Sequence, residues 1–185
     1  MHNNVVISLQ RYFVSKGYLT VCINFRGCGN SKGRTSWTGM PEREDYYGVI
    51  DFITKDNNER MKGYPKVSSV ILCGYSFGGM IASSIEPTSD IDYAYLLVSL
   101  PLGVYWALAT TKASFFKKQS FNSSAPVFCI YGDSDQFTGV NTYEKWLEEK
   151  QSIKAIKMEG VDHFWMNFEQ SLVEQVDCWR NQYWK

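Results

Sequence analysis

Three residue types in this chain combine into a set able to do nucleophilic chemistry. The hexapeptide Gly74-Tyr75-Ser76-Phe77-Gly78-Gly79 fits the pattern G-x-S-x-G. Such a stretch puts a serine on a tight turn between a strand and a helix, so that its hydroxyl stands clear of the backbone. Small residues two positions to either side are expected because side chains there would clash with the turn. The first free amide after the serine, that of Phe77, then points toward any negative charge that develops beside the hydroxyl.

A serine hydroxyl is a weak nucleophile until a base removes its proton. The chain holds two histidines, His2 at the extreme terminus and His163 in Glu159-Gly-Val-Asp-His-Phe-Trp165. His163 follows the last strand-like run and is the candidate base. A carboxylate must hold the imidazole in the correct tautomer. Tyr131-Gly-Asp-Ser-Asp-Gln136 offers Asp133 and Asp135. Asp133 could equally bond the backbone of its own loop, as turn aspartates do. Asp162 is a weaker candidate because neighbours in a loop seldom face each other. Asp135 is the preferred acid. The chemistry of such a set is acyl transfer through an acyl-serine.

These residues need a scaffold, and the apolar pattern supplies one. Val5, Leu9, Tyr12 and Phe13 fall on one helical face, with Gly17 as the stop. Tyr18–Phe25 reads as a strand. A Gly/Arg/Ser-rich loop then runs from Arg26 to Gly39, as a turn over the site or an anion-binding loop. Pro41 opens a helix with Tyr46, Val49, Ile50 and Ile53 as its stripe, and Glu42, Glu44 and Asp45 charge its start. Val67–Cys73, Ile91–Leu100, Val127–Tyr131 and Ile153–Met158 read as strands, with Met80–Ile85 helical after the first of them. Tyr143, Trp146 and Leu147 mark one more helix, and Leu172, Val176 and Trp179 a closing one. Near-continuous apolar runs alternating with helices predict a mainly parallel α/β sheet covered on both faces. Residues 1–185 form one domain, with 101–124 as a candidate cap. In that segment Tyr105, Trp106, Phe115, Phe116 and Phe121 either line an acyl pocket or simply pack.

Composition narrows the partners. The 185 residues carry 19 Lys+Arg and 19 Asp+Glu, so the net charge is zero and no basic stripe is available for a phosphate backbone. Nucleic acid is therefore excluded as a partner. Five cysteines, Cys22, Cys28, Cys73, Cys129 and Cys178, show no metal-ligand spacing. Neither a metal nor a cofactor is expected. Cys22, Cys73 and Cys129 lie in apolar runs and read as buried free thiols, which suits a reducing, cytoplasmic setting. The first twenty residues lack the pattern of a secretory leader. Tyr93–Thr111 is uncharged and long enough to span a bilayer. Its Ser99, Pro101 and Gly103 favour a buried strand, a turn and a short helix instead.

Taken together, Met1-His-Asn-Asn-Val-Val6, Asn24-Phe-Arg-Gly-Cys-Gly-Asn-Ser-Lys-Gly33, the Ser76 turn, Gly132-Asp-Ser-Asp135 and Asp162-His-Phe-Trp165 resemble the α/β-hydrolase superfamily. More narrowly they resemble small hydrolases related to dienelactone hydrolase and to peptidase-like esterases. A dienelactone hydrolase proper carries cysteine at the turn, so Ser76 departs from that branch. The resemblance implies the α/β-hydrolase fold and a serine hydrolase acting on a small ester or thioester. It implies the order Ser76, Asp135, His163, with the acid at the second aspartate of G-D-x-D, and the Phe77 N–H in the oxyanion hole.

The resemblance also implies an amino-terminal shortening. The segment that supplies a second oxyanion donor in these relatives would precede Met1, and one missing donor costs ~10²–10³ in rate. The strand absent with it would lie between 18–25 and 67–73, which leaves two open edges and an expectation of self-association. The alternative reading is a catalytically impaired binding protein of the same fold, or a truncated gene product.

Overall fold

The computed structural model describes residues 3–55, 59–86, 91–118, 125–150 and 152–183. Four strands form one sheet: β1 (Ser69–Tyr75), β2 (Asp92–Val98), β3 (Val127–Gly132) and β4 (Ile153–Met158), in the order β1-β2-β3-β4. All three pairings are parallel, with Leu72 beside Tyr95, Leu97 beside Cys129 and Ile130 beside Ile156.

The two faces of the sheet follow from side-chain alternation. Tyr93, Tyr95 and Leu97 of β2 point to one face; Ala94, Leu96 and Val98 point to the other. The first face is covered by α2 (Met40–Thr54), α3 (Phe77–Ala82), α4 (Tyr105–Leu108), α5 (Ala113–Lys118) and α6 (Val140–Glu148). The second carries α1 (Asn4–Ser15) and α7 (Glu169–Tyr183), which contribute Val5, Leu9, Tyr12, Phe13, Leu172, Val176 and Trp179. Every one of these seven lies on a stripe legible in the sequence. Gly17 has φ 82° beyond the end of α1, and Asn3 caps its start by accepting from the Val6 N–H at 3.1 Å.

The sequence and the structure differ at Tyr18–Phe25. This run is extended but joins no sheet. A strand exists only through a ladder of backbone hydrogen bonds to a neighbour. Its ends are packed by aromatic contacts: Tyr18 lies on Phe13 at 5.3 Å and Phe25 on Phe77 at 5.4 Å. Between them Leu19 and Val21 are half exposed. The same run makes Cys22 half-buried, and Cys73 is also half-buried, so of the three thiols expected inside only Cys129 is fully so. Burial raises the Cys73 thiol to about 12, which keeps it protonated and inert.

Glu42 is a second correction. It is fully buried in the first turn of α2 and accepts from the Ser36 N–H at 2.7 Å and from the Ser36 hydroxyl at 2.5 Å. It therefore anchors the 26–39 loop, where the sequence suggested only a charged helix start. Asp45 takes both the Nε and a terminal nitrogen of Arg26, at 2.7 and 2.5 Å. That guanidinium is thus paired, and it lowers the Asp45 carboxyl in turn.

Tyr93–Thr111 divides into β2, a 3-10 turn at Leu102–Val104 and α4. No described helix is long and apolar enough to cross a membrane. In the 101–124 segment Tyr105 and Phe116 belong to the core, which settles them as packing. Phe115 stacks near Arg43 and Trp106 is 68% exposed, while Phe121 lies outside the described residues.

Candidate active site

Ser76 sits between β1 and α3 with φ 54° and ψ −123°. A non-glycine residue in that region stores about 1–3 kcal/mol of backbone strain. The surroundings fix it. The Ser76 N–H bonds the Val98 carbonyl at 2.9 Å, and its own carbonyl accepts from Gly79 and Met80. Gly74 is obligatory: a Cβ there would lie 2.3 Å from the Gly78 carbonyl oxygen. Gly79 is nearly as constrained, with the Leu100 side chain at 2.9 Å. Gly78, which completes the sequence pattern, is not. A Cβ there would meet only Phe25 at 3.7 Å, an ordinary contact. The turn therefore presses Gly74 against the 78–79 backbone, and the pattern's second glycine is not where a side chain would clash.

The structure brings Ser76, His163 and Asp135 together. His163 Nε2 lies 2.8 Å from Ser76 Oγ, and His163 Nδ1 lies 2.7 Å from Asp135 Oδ2. With Nδ1–H donated to the carboxylate, Nε2 keeps its lone pair for the serine proton. Asp135 and His163 are 7% and 4% exposed, so water competes poorly for either bond. The other Asp135 oxygen accepts from the Phe137 and Thr138 N–H groups at 2.8 and 3.1 Å.

Asp133 has different partners. Its Oδ1 accepts from the Gly160 N–H at 2.8 Å and from the Ser134 hydroxyl at 3.0 Å. It ties the loop after β3 to the loop after β4 and does not touch the imidazole. The same two loops meet where the Ser134 N–H bonds the Val161 carbonyl. Gly132 permits this, since a Cβ there would fall 1.9 Å from that carbonyl oxygen. Asp162 likewise serves its own loop, accepting from the Phe164 and Trp165 N–H groups at 2.9 and 3.1 Å.

Several groups that hold His163 had no legible signal. The Tyr75 hydroxyl donates to the His163 carbonyl at 2.8 Å. Burial, and then the charge of Asp135, raise Tyr75 to about 12, so it remains a donor. Gln136 Oε1 accepts the His163 N–H at 3.2 Å. Trp165 is fully buried with φ 57°, and its indole N–H donates to Ser99 Oγ at 2.8 Å. Asn4 donates to the Phe164 carbonyl at 2.9 Å and to Glu169 at 2.7 Å, so the start of α1 steadies the same loop. Only an aromatic next to the serine and another just past the histidine were visible beforehand, and neither predicts a partner. The other histidine, His2, lies outside the described residues.

A serine on a strained strand-to-helix turn, in a parallel sheet covered on both faces, marks the chain as a member of the α/β-hydrolase superfamily. Known proteins agree. The family model described as X-Pro dipeptidyl-peptidase (S15 family) matches residues 2–101, more than half of the chain, and the chain belongs to that family. The matched span contains Ser76 and Phe77, while Asp135 and His163 lie beyond it. An uncharacterized protein of Rickettsia prowazekii is 27% identical over 172 residues; these cover 89% of this chain and 65% of that protein. The chain thus spans just under two thirds of that relative.

Among solved structures, an alpha-beta serine hydrolase homologue from Coxiella burnetii aligns with TM-score 0.71 at 22% identity, covering 95% of this chain and 76% of that one. A putative alpha/beta hydrolase from Agrobacterium tumefaciens gives TM-score 0.77 at 19% identity, covering 98% and 78%. A serine hydrolase without lid from Xanthomonas campestris gives 0.71 at 22%, covering 99% and 75%.

Proposed function

We propose that this protein is a serine hydrolase that cleaves a carboxylic ester or thioester of a small molecule through an acyl-serine intermediate. The continuous hydrogen-bonded path from Ser76 Oγ through the imidazole to Asp135 carries this reading. His163 Nε2 takes the Ser76 proton as Oγ attacks the carbonyl carbon. Asp135 stabilises the imidazolium that results, and the Phe77 N–H faces the oxyanion from the first turn of α3. His163 then gives its proton to the leaving group, and a water repeats the cycle to free the acid. The five thiols, none of them in a disulfide, suit a cytoplasmic setting.

A fluorophosphonate probe tests the nucleophile. It should label the protein and fail on Ser76→Ala; equal labelling of both would refute the assignment. The acid is tested in parallel. Asp135→Asn should lower kcat by about 10⁴-fold, because it favours the wrong imidazole tautomer. Asp133→Asn should lower it far less, and equal losses would show that the wrong carboxylate was chosen.

The family match motivates a second substrate, the amide of an X-Pro peptide. The same machinery would act on it, so turnover of alanyl-proline p-nitroanilide compared with p-nitrophenyl acetate separates the two.

A further inference from the structure

Two phenylalanines beside the imidazole stand partly in water. Phe137 is 40% exposed and Phe164 is 50% exposed. The Phe137 ring meets the His163 ring edge-on at 4.5 Å, and the Phe164 ring lies 5.8 Å from it. The two phenylalanines are 6.3 Å apart, so three aromatic rings form one contiguous apolar ledge. Leaving large rings in water is unfavourable, and burial against a partner removes that cost.

The position of this ledge follows from the proton's route. Under the serine-hydrolase reading, on which this inference rests, His163 Nε2 hands its proton to the leaving oxygen. That oxygen must come within hydrogen-bond reach of Nε2, about 3 Å. Whatever is attached to it therefore lies on the histidine side of Ser76, where Phe137 and Phe164 are. The charge there is negative. Asp162 lies between Gln136 and Phe164, accepts only N–H donors from its own loop and from Gln136, and among the described residues has no cationic partner. A leaving group that is itself anionic next to the scissile bond would be repelled by that carboxylate.

We infer that the leaving group is a neutral, apolar alcohol, aromatic by preference, seated on Phe137 and Phe164. The step balances as ester hydrolysis. The acyl C–O bond breaks as the Ser76 Oγ–C bond forms, and the Oγ proton travels through Nε2 to the alcohol oxygen. Water then splits the acyl-serine.

The experiment compares benzyl acetate with 2-methoxyethyl acetate, which share the acyl group and release primary alcohols of similar acidity. The wild type should favour the benzyl ester in kcat/KM by about 10-fold, the scale of a single well-formed apolar contact. Phe164→Ala should remove most of that preference, chiefly through KM for the benzyl ester. Phe137→Leu, which keeps the fold around Asp135, should reduce the preference less. Labelling of each variant by the fluorophosphonate probe checks that Ser76 and His163 remain in place. Intact labelling with no leaving-group preference would overturn this inference alone. No labelling and no turnover in the wild type would overturn the hydrolase reading and this inference with it.

Discussion

The sheet has two open edges, and they are built differently. β4 carries Lys154 and Lys157, both exposed, and Lys157 reaches Glu144 of α6 at 3.0 Å. β1, Ser69–Tyr75, carries no charge at all, and four of its residues are neither buried nor fully exposed. Lysines on an edge strand oppose pairing with a second sheet; an uncharged apolar edge invites it. At β1 a side chain from α2, Tyr46, donates its hydroxyl to the Cys73 carbonyl at 3.3 Å. Yet β1 is the strand that delivers Ser76, while the loop after β4 delivers His163. The edge with the weaker protection therefore carries the stricter geometry. Rigidity at the serine has to come from the backbone of the turn, since it does not come from neighbours on both sides of the strand.

The largest test of that contrast concerns glycine. Gly74→Ala should cost ~3 kcal/mol or more and abolish probe labelling, because its Cβ has nowhere to go and the 78–79 backbone must move. Gly160→Ala, beyond β4, should cost only about 1 kcal/mol. It meets no atom within 4 Å and bears only the strain of φ +70°. Urea melts of both variants measure the difference, and similar midpoints would mean that the turn after β1 is no stiffer than the loop after β4.

Association comes next. The wild type should self-associate through β1 at tens of micromolar, a few-fold effect in sedimentation velocity. Ser69→Lys should suppress it at little cost in stability, since residue 69 is exposed and pairs with Asp92. Replacing Lys154 and Lys157 together with valine should instead strengthen association by giving β4 the character of β1. A monomer in all three cases would show that edge charge is irrelevant here.

The smallest effect is in the clasp between α1 and α7. Lys16 and the Tyr12 hydroxyl bond Asp177 at 2.9 and 2.7 Å and lower it from 3.8 to about 2. A carboxyl depressed on folding adds stability that is fully present above the unfolded value and is lost as pH falls through the folded one. Urea midpoints should therefore drop slightly from pH 4 to pH 2, less so in Asp177→Asn and in high salt, because the group is exposed and screened. A pH response unchanged by the substitution would assign the loss to other carboxyls.

Much of this was legible in the amino acids alone. The α1 and α7 stripes, the parallel character of the sheet and the β4 boundaries all came from apolar periodicity, which reflects burial one residue at a time. Ser76 was legible because its turn demands a local pattern, and His163 because one histidine stands after the last strand. The sequence offers both Asp133 and Asp135 and favours Asp135, because a turn aspartate such as Asp133 readily bonds its own loop; the resemblance points to the same residue. The structure separates them by partners: Asp133 bonds Gly160, while Asp135 bonds His163. Tyr18–Phe25 has the composition of a strand and is not one, because strand identity belongs to a pair of segments. The holders of His163, namely Tyr75, Gln136, Trp165 and Asn4, come from four separate stretches of chain, two of which also supply Phe137 and Phe164. Which of them meet depends on distances across the fold that no local pattern encodes. Periodicity and turn chemistry act over a few residues and so are written in the sequence; hydrogen-bond partners across 27 to 160 positions are settled only when the chain packs.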